Sequence, residues 1–120
     1  MKNLFYYTFF IAIVAITLSI FRPVPIVKES EALTKKGIIT YVFEAGIKDV
    51  VFRIADTETT YYINRGLENG LNLKELKEKL MGKEVTIKYP KYWTPLDWDN
   101  KIRHLSKLEF EGEVIFNELK

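Results

Sequence analysis

The sequence predicts a mainly β domain, three strands, a helix and two more strands, carried behind one apolar N-terminal helix. Three observations predict it. From Gly37 onward, short β-branched and aromatic runs alternate in hydropathy and are separated by glycine, proline or acidic turns. Residues 72–81 alone switch to a helical spacing of leucines between a capping residue and a glycine stop. The run Leu4–Phe21 carries no charge at all. With 120 residues, 48% hydrophobic and 28% charged, the chain is too apolar for a disordered tail and too short for two domains, so a single core is expected.

Residues 1–22 read as a membrane anchor or signal-like segment. As a helix, Leu4–Phe21 would rise about 27 Å, close to the roughly 30 Å of hydrocarbon in a bilayer. Lys2 and Arg22 bracket it, and Tyr6 and Tyr7 stand near one end, where amphipathic rings favour the interface. A single-pass anchor is expected, with the membrane as partner of residues 4–21. The alternative is a cleaved signal peptide giving a secreted form, for which Thr17-Leu18-Ser19 is the tolerable small-residue site. Counting Arg22, Lys28, Lys35 and Lys36 against Lys2 would keep the domain in the cytoplasm. The short N-terminal flank is the layout of an export signal, and the exported side is the expectation.

Residues 23–36, with Pro23, Pro25 and mixed charge, read as a linker, stiff and then solvated. The domain is assigned to 37–120. IITYVFEAG and KDVVFRIAD form a hairpin about Ala45-Gly46, with Val50, Phe52 and Ile54 facing inward. TETTYYINRG supplies a third strand with Tyr61 and Ile63 inward. Asn72 as N-cap with Glu75 three residues on, the stripe Leu73, Leu76 and Leu80, and Gly82 as stop define the helix. EVTIKYP is the fourth strand, with Val85, Ile87 and Tyr89 inward until Pro90 ends the ladder. After the loop KYWTPLDWDNK, IRHLSKLEFEGEVIF gives a fifth strand and, past Glu111-Gly112, a short returning piece.

This order, with GKEVTIKY at the helix-to-strand junction, resembles the OB-fold of small exported bacterial domains, a five-stranded Greek-key barrel with its helix between strands three and four. The resemblance covers about residues 35–116. It implies a ligand groove on the outer face of strands two and three, bordered by the loop between strands four and five. It carries no catalytic motif. An SH3-like barrel or a small α+β roll is the alternative architecture.

The inventory of reactive side chains is thin. Cysteine is absent, which excludes disulfides, thiolate metal sites and a catalytic thiol. His104 is the single histidine, and Ser106 lies two residues away with no acid placed in sequence to orient the imidazole. Glu109, Glu111 and Glu113 would line one face of a straight strand, but Gly112 interrupts them and a solvated edge is the expectation. Asp97-Trp98-Asp99-Asn100 gathers oxygen atoms without the glycine and distal glutamate of a calcium loop. No nucleotide, cofactor or zinc-protease motif occurs. No metal, cofactor or catalytic residue is therefore expected.

A membrane-tethered non-enzymatic binding module is the expected function, ahead of an enzyme acting on a cell-envelope substrate through Asp97, Asp99 or Glu109. The module's candidate contact residues are Tyr92, Trp93 and Trp98 on the proline-stiffened loop and Arg53, Tyr62 and Asn64 on the outward face of strands two and three. The expected partner is a protein or a glycan. An oligonucleotide is the alternative, through Lys83, Lys88 and Lys91. It is disfavoured because Lys2 and Arg22 account for the whole +2 net charge, leaving residues 23–120 neutral. For each tryptophan the competing role is to plug one end of the barrel.

Overall fold

The structure, a computed structural model, describes residues 2–20 and 23–120; in the first stretch the described side chains run from Asn3 to Leu18. The elements are α1 (Lys2–Ile20), β1 (Leu33–Ala45), β2 (Asp49–Ile54), β3 (Thr60–Ile63), α2 (Leu73–Leu80), β4 (Glu84–Tyr89), β5 (Ile102–His104), β6 (Lys107–Phe110) and β7 (Glu113–Asn117). The strands form one open mixed sheet in the order β5-β3-β2-β1-β4-β6-β7. Among the described residues only β3 and β5 pair in parallel.

β1 organises the sheet because its two halves face different neighbours. Leu33–Ile38 pairs with β4, and Ile39 onward pairs with β2 across a register shift between Ile39 and Tyr41. Gly37 sits at this change of partner. A Cβ there would overlap Cγ2 of Ile54, so glycine lets two strands approach more closely than any side chain would. The alternation expected of β2, β3 and β4 is present. Val50, Phe52, Ile54, Tyr61, Ile63, Val85 and Ile87 are all buried and join Ile39, Val42, Leu105 and Leu108 in one core. α2 closes that core with Leu76 and Leu80. Its N-terminus is capped as expected, Glu75 N–H donating to Asn72 Oδ1 at 3.1 Å, and Gly82 at φ +76° ends it while donating to Ile39 O.

Seven strands stand where five were expected. The run IRHLSKLEF is divided at Leu105-Ser106, where the chain changes partner: Leu105 N–H donates to Tyr62 O on β3 and Ser106 N–H to Lys88 O on β4, both at 2.8 Å. The returning piece is β7, joined to β6 by Glu111 and Gly112, both at positive φ, as a two-residue hairpin turn requires. The barrel does not emerge from the ladder as such, whose end strands are β5 and β7.

The expected membrane span also needs correction. α1 forms where it was anticipated, yet among the described residues no helix is long and apolar enough to cross a membrane. Asn3, Tyr6, Tyr7 and Thr8 occupy its first turns and Thr17 its last. The unbroken apolar run is therefore Phe9–Ile16, about 12 Å of helical rise against about 30 Å of hydrocarbon. Phe21 and Arg22 lie outside the described residues.

The linker is docked at several points while remaining solvated, with no residue of 23–36 buried. β1 begins at Leu33, ahead of the expected Gly37, because Leu33–Lys36 find partners on β4 despite their polar character. Before it, a 3-10 turn at Glu29–Glu31 is held by Glu29, whose carboxylate accepts from Lys107 Nζ at 2.7 Å and Lys88 Nζ at 2.8 Å. Lys120 N–H donates to Val27 O, tying the C-terminal end to the same segment. Lys107 first and Lys88 second pull the Glu29 pKa from 4.5 down to about 2. A carboxylate lowered in the folded state stabilises docking above its ordinary pKa and loses that contribution as pH falls through the lowered one. The 29–31 turn is therefore expected to be held at pH 5 and to loosen between pH 4.5 and about 2, while the pairing of Leu33–Lys36 with β4 and of Lys120 with Val27 keeps the segment in place. Hydrogen exchange at Glu31 and Ala32 N–H checks this, and in Glu29→Gln the acid step should vanish.

Candidate functional site

The face of the sheet opposite the core carries an unusual set of side chains for a solvated surface. Strand register aligns Phe43, Val51, Tyr62 and His104 in one row across β1, β2, β3 and β5. The next row is Tyr41, Arg53, Thr60 and Ile102. Because residues alternate faces along a strand, both rows lie on the side away from Val42, Val50, Phe52 and Tyr61. Rings meet within and between these rows: Tyr62 and His104 edge-to-face at 5.3 Å, Tyr41 and Phe43 edge-to-face at 5.7 Å. Val51 is only 6% exposed although it points away from the core, so its neighbours form a floor over it.

That floor belongs to a shallow, open cleft of about 550 Å³ lined by Phe43, Asp49, Val51, Tyr62, Asn64 and Ile102 among others. A second cleft of about 210 Å³ adjoins it through Tyr62 and Ile102 and is lined by Val24, Tyr92, Leu96, Asp97, Arg103 and His104. Burial is the main reason the Tyr62 pKa is raised, with Asp49, Tyr92, Glu118 and Asp97 adding to it. Its hydroxyl can both donate and accept a hydrogen bond. On the core side, burial and neighbouring Tyr89 push Tyr61 up to about 12. His104 Nε2 donates to Glu118 Oε1, a partner supplied from beyond β7 that no sequence spacing indicates. Ser106 is buried and does not share the cleft with His104.

Of the residues singled out from sequence, Tyr62 and Asn64 come together in the larger cleft, and Arg53 stands exposed beside them in the neighbouring row. Tyr92 lines the smaller cleft. Trp93 lines a separate shallow depression with Leu33, Lys91 and Arg103. Trp98 lies on the loop tip, 72% exposed, and Trp93 is 49% exposed, so neither plugs an end of the sheet. The reason is local. Asp97 accepts from Lys101 and Ile102 N–H, Thr94 Oγ1 from Leu96 N–H, and Trp98 O from Trp93 Nε1, which together stiffen the loop and turn its apolar tip outward. Those bonds also occupy both oxygens of the Asp97 carboxylate, and Asp99 pairs with Lys101. Among the described residues no group of acidic or histidine side chains is arranged to hold a metal ion.

The sequence reading passed over Tyr41, Phe43 and Ile102. Their signal was the alternation of Tyr41 and Phe43 against Val42, which puts two aromatic rings on the outer face. No protein-family model matches the chain, and neither the curated proteins nor the solved structures contain a significant match.

Proposed function

We propose that this chain is a non-enzymatic binding module attached to a membrane through α1, with the outer face of β1, β2, β3 and β5 as its contact surface. The observation that carries the reading is the row Phe43, Val51, Tyr62 and His104, aromatic and apolar side chains aligned on the face the core does not use. The row itself is half-buried, but Tyr41 and Ile102 beside it are exposed, an apolar surface that costs solubility unless something covers it, and a mostly apolar depression with a few polar groups is the usual form of a ligand site. Asp49, Asn64, Thr60 and the Tyr62 hydroxyl supply those polar groups. Glu118 supplies the acid that no sequence spacing gave His104, but the neighbouring hydroxyl, Ser106, is buried outside the cleft, which favours binding over catalysis.

Attachment to a membrane is supported by α1 itself. Every described side chain of α1 is exposed, including Phe5, Phe9, Phe10, Ile11 and Leu18. A helix that is apolar on all sides, as α1 is over Phe9–Ile16, is stable only inside protein or lipid. Its threonine hydroxyls are satisfied internally, Thr8 Oγ1 donating to Leu4 O and Thr17 Oγ1 to Ile13 O, so they present no unmet donor to hydrocarbon.

The OB-like architecture belongs to the same proposal. Taking β5 and β6 as one strand broken at Leu105-Ser106, β3 would pair with its first half and β4 with its second. The sheet would then return on itself in the order 1-2-3-5-4 of a five-stranded barrel, with the proposed contact face where such folds bind ligands. The test is a nuclear magnetic resonance titration of the full chain in micelles with three probes: a mixed hexapeptide pool, chitohexaose and oligo(dT). Shifts confined to Tyr41, Phe43, Val51, Tyr62 and Ile102 with peptide or glycan are the expected result. Shifts with oligo(dT) alone would favour the nucleic-acid reading, and shifts on α2 or β7 would remove this face from consideration.

A further inference from the structure

We propose that the loop tip carrying Leu96 and Trp98 is a lipid contact, seated in the headgroup-to-acyl boundary of the bilayer that takes α1. The inference rests on the membrane attachment proposed above and adds a second point of contact, which would fix how the domain stands on the surface.

Position is the first argument. The 3-10 turn at Pro95–Asp97 meets α1, and Val24, shortly beyond the helix end, lines one cleft with Leu96 and Asp97. The segment from Val27 to Glu29 is docked on the sheet domain, so the chain rejoins the domain within a few residues of this loop. Chemistry is the second. Leu96 and Trp98 are each 72% exposed, on a loop whose own hydrogen bonds keep them outward. Among the described residues the Trp98 indole N–H has no partner, and an indole with an apolar body and an unspent donor is suited to the interface. Charge is the third. Asp97 is satisfied by backbone N–H groups, and Asp99 is paired with Lys101. The tip presents no net basic patch, so a zwitterionic surface suffices and salt should not release it.

The test uses the full chain in phosphatidylcholine nanodiscs containing lipids brominated near the headgroup end of the acyl chain. Trp98 is read alone in Trp93→Phe, and α1 is read in a chain carrying Phe10→Trp with Trp93→Phe and Trp98→Phe. Loss of roughly half the Trp98 emission, unchanged by high salt or by added anionic lipid, is the expected result. Because the chain has no cysteine, a nitroxide on Leu96→Cys gives a second reading with both tryptophans in place. It should be more accessible to oxygen than to a soluble nickel chelate. Quenching of the α1 reporter with Trp98 unquenched and the nitroxide water-exposed overturns the loop contact and leaves attachment standing. No quenching of either overturns both. A blue shift of Trp98 with rising protein concentration in detergent, without quenching by lipid, would assign the tip to a second copy of this chain and also overturn the proposal.

Discussion

Leu105→Ala is expected to lower stability by about 2 to 5 kcal/mol, the range for truncating a fully buried leucine in a core that cannot collapse around the gap. Leu105 is completely buried, sits between β5 and β6, and belongs to the same cluster as Phe52, Ile63 and Leu108. Its own N–H reaches Tyr62 O, and the next N–H, that of Ser106, reaches Lys88 O. The side chain therefore anchors the one place where the chain crosses from β3 to β4. For a domain of this size the loss corresponds to a fall in Tm of roughly 10 °C or more. Leu96→Ala, at an exposed position, should stay within about 0.5 kcal/mol. Thermal or denaturant unfolding of both variants checks this. A loss below about 1 kcal/mol at Leu105 would mean that the junction does not close the core.

Leu105 also marks the limit of what the residues could say. Strands β2, β3 and β4 were legible because each buries one face, so Val50-Phe52-Ile54, Tyr61-Ile63 and Val85-Ile87 announce themselves by period two. α2 was legible from local chemistry alone, since Asn72, Glu75 and Gly82 act within a few residues of one another. Nothing local distinguishes Leu105-Ser106 from the middle of one continuous strand. The break is a change of partner, set by where Tyr62 and Lys88 arrive from elsewhere in the chain. Leu33–Lys36 failed for a related reason: LTKK has no strand pattern, and its pairing comes from the neighbouring β4 rather than from its own side chains. The docking of Glu29 on Lys88 and Lys107 and of His104 on Glu118 is equally non-local. The contact face lies between these cases. Alternation alone selected Arg53, Tyr62 and Asn64, but that Tyr62 stands between Val51 and His104 needed the register of β2, β3 and β5.

Tyr62→Ala is expected to weaken binding by 2 kcal/mol or more for whichever peptide or oligosaccharide shifts this face, about a thirtyfold rise in Kd. Tyr62 is common to both clefts and central in the cross-strand row, so truncating it removes the floor they share. The fold should survive. Tyr62 points away from the core, and its main ring contact is the edge-to-face pairing with His104, worth about 0.5 to 1.5 kcal/mol. Stability should therefore fall by about 1 to 2 kcal/mol, clearly less than for Leu105→Ala. Tyr62→Phe separates ring from hydroxyl: it keeps the floor and loses one donor, so a small loss of affinity would assign recognition to stacking and a large one to hydrogen bonding. Arg53→Ala, one row over and exposed, should matter less than Tyr62→Ala for an uncharged glycan and comparably for an acidic peptide. Isothermal titration of the four proteins against one probe reads all of these together. Unchanged affinity in Tyr62→Ala with the fold intact would move the contact surface off this face of the sheet.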